Sequence, residues 1–193
     1  LIKHQVQPRR IQVVGDERGL RYRHWTYTNE PVMKTCVLSA VGSRYGLCVA
    51  VSRTVTFGAP EASLISPFED ASLVLATAMY FTRKDWPLSE TVERMRRIYD
   101  KFGHNEEWRL AEVGEVIGYD LPELPVVPKS SFRPQAGTPI HWHPTIGGAA
   151  VGDTVLTTNE GIELLTPTEC WPNLEISVKD SPITCPGILI REI

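Results

Sequence analysis

The sequence has no cysteine pattern of the kind that binds zinc, no apolar run of membrane-spanning length and no surplus of basic charge. Its four cysteines, Cys36, Cys48, Cys170 and Cys185, are too sparse and too irregular for a zinc site or a disulfide scaffold. Cys36 and Cys48 lie in apolar segments and are expected as buried thiols. Cys170 and Cys185 fall in a Pro-rich tail, where a disulfide is one option and a reduced pair is the expected one. No stretch reaches the roughly 18 apolar residues of a membrane span. The net charge of -3 excludes general affinity for nucleic acid or an anionic membrane. No signal peptide opens the chain, and the expected compartment is cytoplasmic. There is no initiator methionine either. Leu1 begins mid-phrase, so the chain is expected to be trimmed, cleaved or part of a longer product.

What is present is the composition of one ordinary folded domain of 193 residues. Residues 1–33 are polar, rich in Arg and His, with a turn at Gly15-Asp16. The segment "YRHWTY" (22–27) mixes bases and aromatics, but without a basic surplus it is a weak nucleic-acid signal. "KTCVLSAVG" (34–42) and "GLCVAVSRTVTFG" (46–58) are β-branched runs that read as a hairpin. "SPFEDASLVLATAMYFTR" predicts a helix over 66–83, with Ser66 as N-cap and Pro67 at the first position. Trp86-Pro87 breaks it. "LSETVERMRRIYDKFG" predicts a second helix over 89–102, capped by Ser89 and stopped by Gly103. Val92, Met95, Ile98 and Tyr99 recur on it at helical spacing. After Gly103 the pattern returns to short strands: "EVGEVIGY", "TPIHWH", "DTVLTT" and "IELLT", separated by Gly, Pro or Asn-Glu-Gly turns. A Pro-rich loop fills 121–137, and the tail holds two extended pieces, "LEISV" and "GILIREI". Strands, two helices, then strands predict an α+β fold, with 34–57 and 110–166 in one curved antiparallel sheet under the helices.

The order "YGLCVAVSRTVTFG", "YDKFGHNEEW", "GEVIGY", "GTPIHWHPTIGG", "VGDTVLTTNEGIELLT" resembles the pita-bread family of methionine aminopeptidases, prolidases and creatinases, closest to its Xaa-Pro peptidase-like branch. The resemblance covers roughly residues 10–168. It implies an N-terminal segment (1–33), a pita-bread domain (34–168) and a Pro-rich tail (169–193), with the domain's first part, normally including a helical hairpin, incomplete. Active peptidases of the family hold two divalent metals with two Asp, one His and two Glu, because two hard cations side by side need bridging carboxylates. Those positions fall here on Ser39, Ala50, Glu115, His143 and Gly152. All five differ. Ala50 and Gly152 offer no side-chain ligand, so no metal and no other cofactor is expected.

Creatinases need no metal and cleave a C–N bond with a His and carboxylates in the same cavity, so the resemblance implies a role for the two titratable replacements. His143 and Glu115 form an acid–base unit, since imidazole titrates near neutrality and a carboxylate orients it. Pairing is expected to raise the imidazole pKa. His141 lies two residues from His143, so on a strand both face one side, while Trp142 faces packing. The catalytic candidates are therefore His143, Glu115 and His141. Tyr119, Asp153 and Ser39 are substrate-binding candidates at the cavity's edge, and Glu112 is a possible second acid. Each has a plainer reading: hydrogen-bonded strand histidines, a solvated Glu115, a turn-capping Asp153, a buried filler Ser39. Arg53 is read as bracing its strand. The expected function is metal-independent acid–base chemistry, by default C–N hydrolysis, with a lyase step as the variant, on a small amino-acid-derived or peptide-like substrate. The alternatives are a non-catalytic pseudo-peptidase that binds a ligand or protein, and a peptidase with an atypical metal site. A homodimer is expected, without nucleic-acid or membrane partners.

Overall fold

The computed structural model describes residues 1–21, 23 and 27–192. Most of "YRHWTY" lies outside them. The polar start of the chain forms β1 (Gln7–Gly15), which pairs antiparallel along β2 (Thr35–Arg44). Between them runs a connection containing the short helix α1 (Arg18–Arg21). β2 turns into β3 (Leu47–Phe57) through Tyr45 and Gly46, both at positive φ (54° and 83°). That is the primed two-residue turn whose twist matches paired strands, with Gly46 at its second position.

α2 (Ala62–Phe81) starts one turn earlier than Ser66-Pro67 suggests, and Pro67 sits inside it. The helix tolerates the one backbone bond that Pro67 cannot donate because the residues after it are core. Phe68, Ala71, Val74, Leu75 and Ala78 are all buried. α3 (Leu88–Lys101) begins after Pro87, and Val92, Met95 and Tyr99 are buried as their spacing predicts. It packs against α2.

The second strand region gives β4 (Gly114–Val116), β5 (Leu124–Pro125), β6 (Pro139–Trp142), the small ladder β7 (Thr145–Ile146) and β8 (Ala149–Ala150), then β9 (Asp153–Thr157) and β10 (Ile162–Leu164). These strands and the first three do not form the single sheet expected. One ladder runs β10-β9-β6-β4-β5, and the other runs β1-β2-β3 with a fourth strand added. Outside the ladders, a bridged backbone pair, Ser52 and Gly152, helps to join them. The tail supplies that fourth strand. β11 (Asn173–Val178) and β12 (Ser181–Pro186) form a hairpin against α2, and β13 (Leu189–Arg191) returns to lie parallel to β3. The architecture is mixed α and β, with the main core between the five-stranded sheet, the tail hairpin and α2 and α3. No described helix is long and apolar enough to cross a membrane.

Candidate functional site

β4 and β6 run antiparallel with Gly114 opposite Trp142 and Glu115 opposite His141. Side chains alternate along a strand, so the two pairs face opposite sides. Trp142 goes into the core and donates its indole N–H to Thr82 Oγ1 (2.9 Å). Gly114 lies beneath it; a Cβ there would stand 2.4 Å from Trp142 Cε3, so only glycine fits. On the other side stand Glu115, His141 and, two residues on, His143. The backbone N–H of His143 donates to Val113 O (3.0 Å), which holds the strand end in place.

His141 Nδ1 lies 3.2 Å from Glu115 Oε1, and His143 Nε2 lies 3.9 Å from the same oxygen. The two rings stack with centroids 4.6 Å apart. Glu115 and His141 are 6% and 1% exposed. Nε2 of each histidine is buried and without a hydrogen-bond partner. Arg10, on β1, brings Nη2 to 3.7 Å from Glu115 Oε1.

The expected rise of the imidazole pKa is overturned. Burial, then the charges of Arg10 and Arg53, push His141 down to about 3. Burial and His141 push His143 down to about 3, against an opposing pull from Glu115. Desolvation is the largest cause for both rings, because a buried imidazolium loses the water that would stabilise its charge. Both rings are neutral at physiological pH. Which nitrogen of the neutral His141 ring carries the proton decides the sense of its Nδ1 contact with Glu115.

The other expected residues bond elsewhere or are exposed. Ser39 is buried and its Oγ accepts a bond from Ser52 Oγ (3.3 Å). Asp153 is opposite Trp142 on β9, and therefore on the far side of the sheet from His141. It is buried, with Oδ1 accepting bonds from Arg53 Nη2 (2.5 Å) and Thr166 Oγ1 (2.7 Å). The turn-capping and cavity-edge readings give way to a buried ion pair, and Arg53 is the brace expected. Burial pulls the Asp153 carboxyl upward against that guanidinium. Tyr119 is exposed beside the Tyr45-Gly46 turn, where a cavity of about 270 Å³ is lined also by Gln5, Arg9 and Arg44. Glu112 is exposed. Arg10 was absent from the sequence expectations. Its signal was the β-branched "IQVVG" behind it, which marks a strand rather than a polar leader.

A pair of divalent cations does not fit this cavity. Ala50 belongs to an apolar cluster with Val41 and Cys48. A Cβ on Gly152 would lie 2.8 Å from Trp142 O and 2.9 Å from His143 Cβ, so a carboxylate cannot be added there without displacing the strand. Glu115, His141 and His143 remain as the one group of three or more His, Cys, Asp or Glu, among the described residues, with donor atoms all within 4.8 Å of one another.

No family model matches this chain, and no curated protein matches its sequence. Solved structures do match its fold. A dipeptidase from Pyrococcus horikoshii OT3 superposes with a TM-score of 0.76 at 19% identity, covering 82% of this chain and 46% of that one. Dipeptidase PepE from Mycobacterium ulcerans superposes at 0.80 with 15% identity, covering 96% and 48%. The N-terminal domain of the FACT complex subunit SPT16 from chickpea superposes at 0.71 with 11% identity, covering 85% and 43%. The chain spans less than half the length of these proteins. Its fold is the pita-bread fold found in prolidases, Xaa-Pro dipeptidases and X-Pro aminopeptidases.

Proposed function

We propose that the chain is a peptidase-like enzyme that works without the two-metal centre, with Glu115, His141 and His143 as its reactive groups. The observation that supports this best is the pair of buried imidazole nitrogens left without hydrogen-bond partners beside a buried carboxylate. A packed interior does not leave such groups unmet without reason, because each costs about 1–3 kcal/mol. Each neutral ring keeps one nitrogen lone pair that can accept a hydrogen bond or a proton from a bound substrate. Glu115 fixes the His141 ring through Nδ1 and offsets the positive charge that develops when a ring accepts a proton. Arg10 stands at the rim, where it can attract the carboxylate of an amino-acid-derived or short-peptide substrate. The default reaction is hydrolysis of a C–N bond, with a lyase step as the variant. A homodimer in the cytoplasm belongs to the same reading; the exposed Ile11, Val13, Leu47 and Val49, on one face of the first sheet, are consistent with a covered surface.

The test is a screen of dipeptides, Xaa-Pro peptides and small amides against the protein and its His143→Gln variant. We expect turnover that falls on the order of 10²-fold in kcat in the variant, with an unchanged circular dichroism spectrum. Equal turnover by both proteins would make His143 structural. A second reading, a non-catalytic module that binds a ligand or protein through this cavity, draws on the likeness to the SPT16 domain, whose name describes a complex subunit. Binding of substrate-like peptides with no turnover by either protein would favour it.

A further inference from the structure

The structure assigns Glu115, His141 and His143 a further property: we propose that they bind one divalent transition-metal cation through one carboxylate oxygen and one nitrogen of each imidazole. The inference rests on the reading that these three residues are the cavity's reactive groups. It does not restore the two-cation, carboxylate-bridged centre, whose positions at Ala50 and Gly152 are closed.

The geometry comes from strand register. Two histidines at i and i+2 share one face of β6, and the residue directly opposite the first is a glutamate on β4. Such a triangle places three donors on one side of a single point. Donors bound to one cation at roughly 2.1 Å lie roughly 3–4 Å apart. Glu115 Oε1 is 3.2 Å from His141 Nδ1 and 3.9 Å from His143 Nε2. The second observation is independent of spacing: His143 Nε2 is buried, faces Glu115 and has no hydrogen-bond partner. A cation between the donors would satisfy it.

Donor chemistry sets the class of ion. Two imidazoles and one carboxylate suit zinc, cobalt or iron(II), whereas magnesium and calcium prefer all-oxygen sites. Three protein donors leave further coordination positions open. Arg10 opposes the cation, since its guanidinium lies 3.7 Å from the same carboxylate oxygen. It should therefore lower affinity until it swings away.

The experiment is a titration of the chelator-treated full chain with Co²⁺, read by visible absorption and calorimetry, followed by displacement with Zn²⁺. We expect one Co²⁺ per chain, displaced by Zn²⁺ and not by Mg²⁺. His141→Gln and His143→Gln, checked for folding by circular dichroism, should each weaken binding by at least the roughly 10–100-fold that loss of even an outer partner of a ligand costs. Arg10→Gln, at the half-exposed rim and checked for folding in the same way, should tighten it. No saturable Co²⁺ binding, or binding unaltered in both histidine variants and in Arg10→Gln, would overturn the assignment. Activity in protein that binds no Co²⁺ would overturn it too while sparing the enzyme reading. Binding as expected with no turnover of any substrate supports the metal site and defeats the enzyme reading.

Discussion

Arg53 and Asp153 are 5% and 1% exposed and hydrogen-bonded to each other. Arg53 also donates to Gly152 O and Ser52 O, so its charge is met on several sides. A buried pair of this kind adds little over an apolar substitute, but removing one partner strands the other. Arg53→Met is therefore expected to lower unfolding stability by about 3–5 kcal/mol, measured by urea denaturation. The double variant Arg53→Met with Asp153→Leu should recover much of that loss; an additive double loss would mean that the pair itself holds the fold. The thiols give a prediction at the same scale. Cys170 is exposed, whereas Cys36, Cys48 and Cys185 are buried. Burial raises the Cys36 thiol and pushes Cys185 up to about 12, with Asp153 adding to the latter. Thiolate is the reactive form. At pH 8 the native protein should react rapidly with a thiol reagent at one residue, Cys170, and at all four only after denaturation. Rapid native labelling of Cys185 would mean that the tail hairpin opens away from α2.

Between β1 and β2 a single carboxylate gathers three strand-entry donors. Asp16 accepts N–H bonds from Met33 (2.9 Å), Lys34 (2.8 Å) and Thr35 (3.0 Å). Partial burial raises its pKa, but these three bonds and the Lys34 charge outweigh that and hold it below the usual carboxylate value. A carboxyl with a lowered folded-state pKa stabilises the protein above its unfolded value near 3.8, and that contribution is lost as the pH falls below it. Asp16→Ala should cost about 1–3 kcal/mol at pH 7 and reduce the steepness of the acid limb; an unchanged acid limb would show that these bonds form equally well to a neutral group. The Gly15-Asp16 turn was legible in the sequence, but the strand before it was not. "QPRRIQVVG" begins with polar residues and stays mostly exposed, so composition hides all of β1 but its "IQVVG" end. In the tail, "LEISV" and "GILIREI" were legible as the extended pieces that become β11 and β13, but β12 was hidden. Pro182 and Pro186 read as breaks, yet both sit in β12, which pairs only with β11. α3 was legible from periodicity because its burial is one-sided, whereas α2 is buried nearly all round and was legible as a long apolar run between Ser66-Pro67 and Trp86-Pro87. In the site, alternation correctly joined His141 to His143 and turned Trp142 away. The same alternation, applied to Gly152 and Asp153, puts them on opposite faces, which is why Asp153 is not at the cavity. The neutrality of the imidazoles was not legible, since desolvation depends on elements distant in the chain.

The whole molecule is held together along the outer edge of β3, where no continuous partner strand runs. Backbone polar groups there still need partners, and the chain meets them piece by piece. Cys48 N–H donates to Gly118 O (2.7 Å). Ser52 exchanges two backbone bonds with Gly152 (2.9 and 3.1 Å). Val55 to Phe57 pair with β13 from the tail. Between Cys48 and Ser52, the N–H and C=O of Ala50 are both met by one side chain: the Thr154 hydroxyl accepts from Ala50 N (3.0 Å) and donates to Ala50 O (2.8 Å). Thr154 is fully buried and lies opposite His141 on β9, so this hydroxyl ties the sheet that bears the candidate site to the sheet that bears Arg10. Thr154→Val keeps the side chain's shape and removes only that bridge. It leaves the two Ala50 groups buried and unmet, at an expected cost of about 1–3 kcal/mol each at most. Because the joint is shared, amide protection should fall together in β2 and β3 and in β6 and β9, as hydrogen exchange by mass spectrometry can read. Loosening confined to one sheet would show that the two ladders are separate cooperative units, aligned by the links of Ser52, Arg53 and Thr54 to Gly152, Asp153 and Ala150.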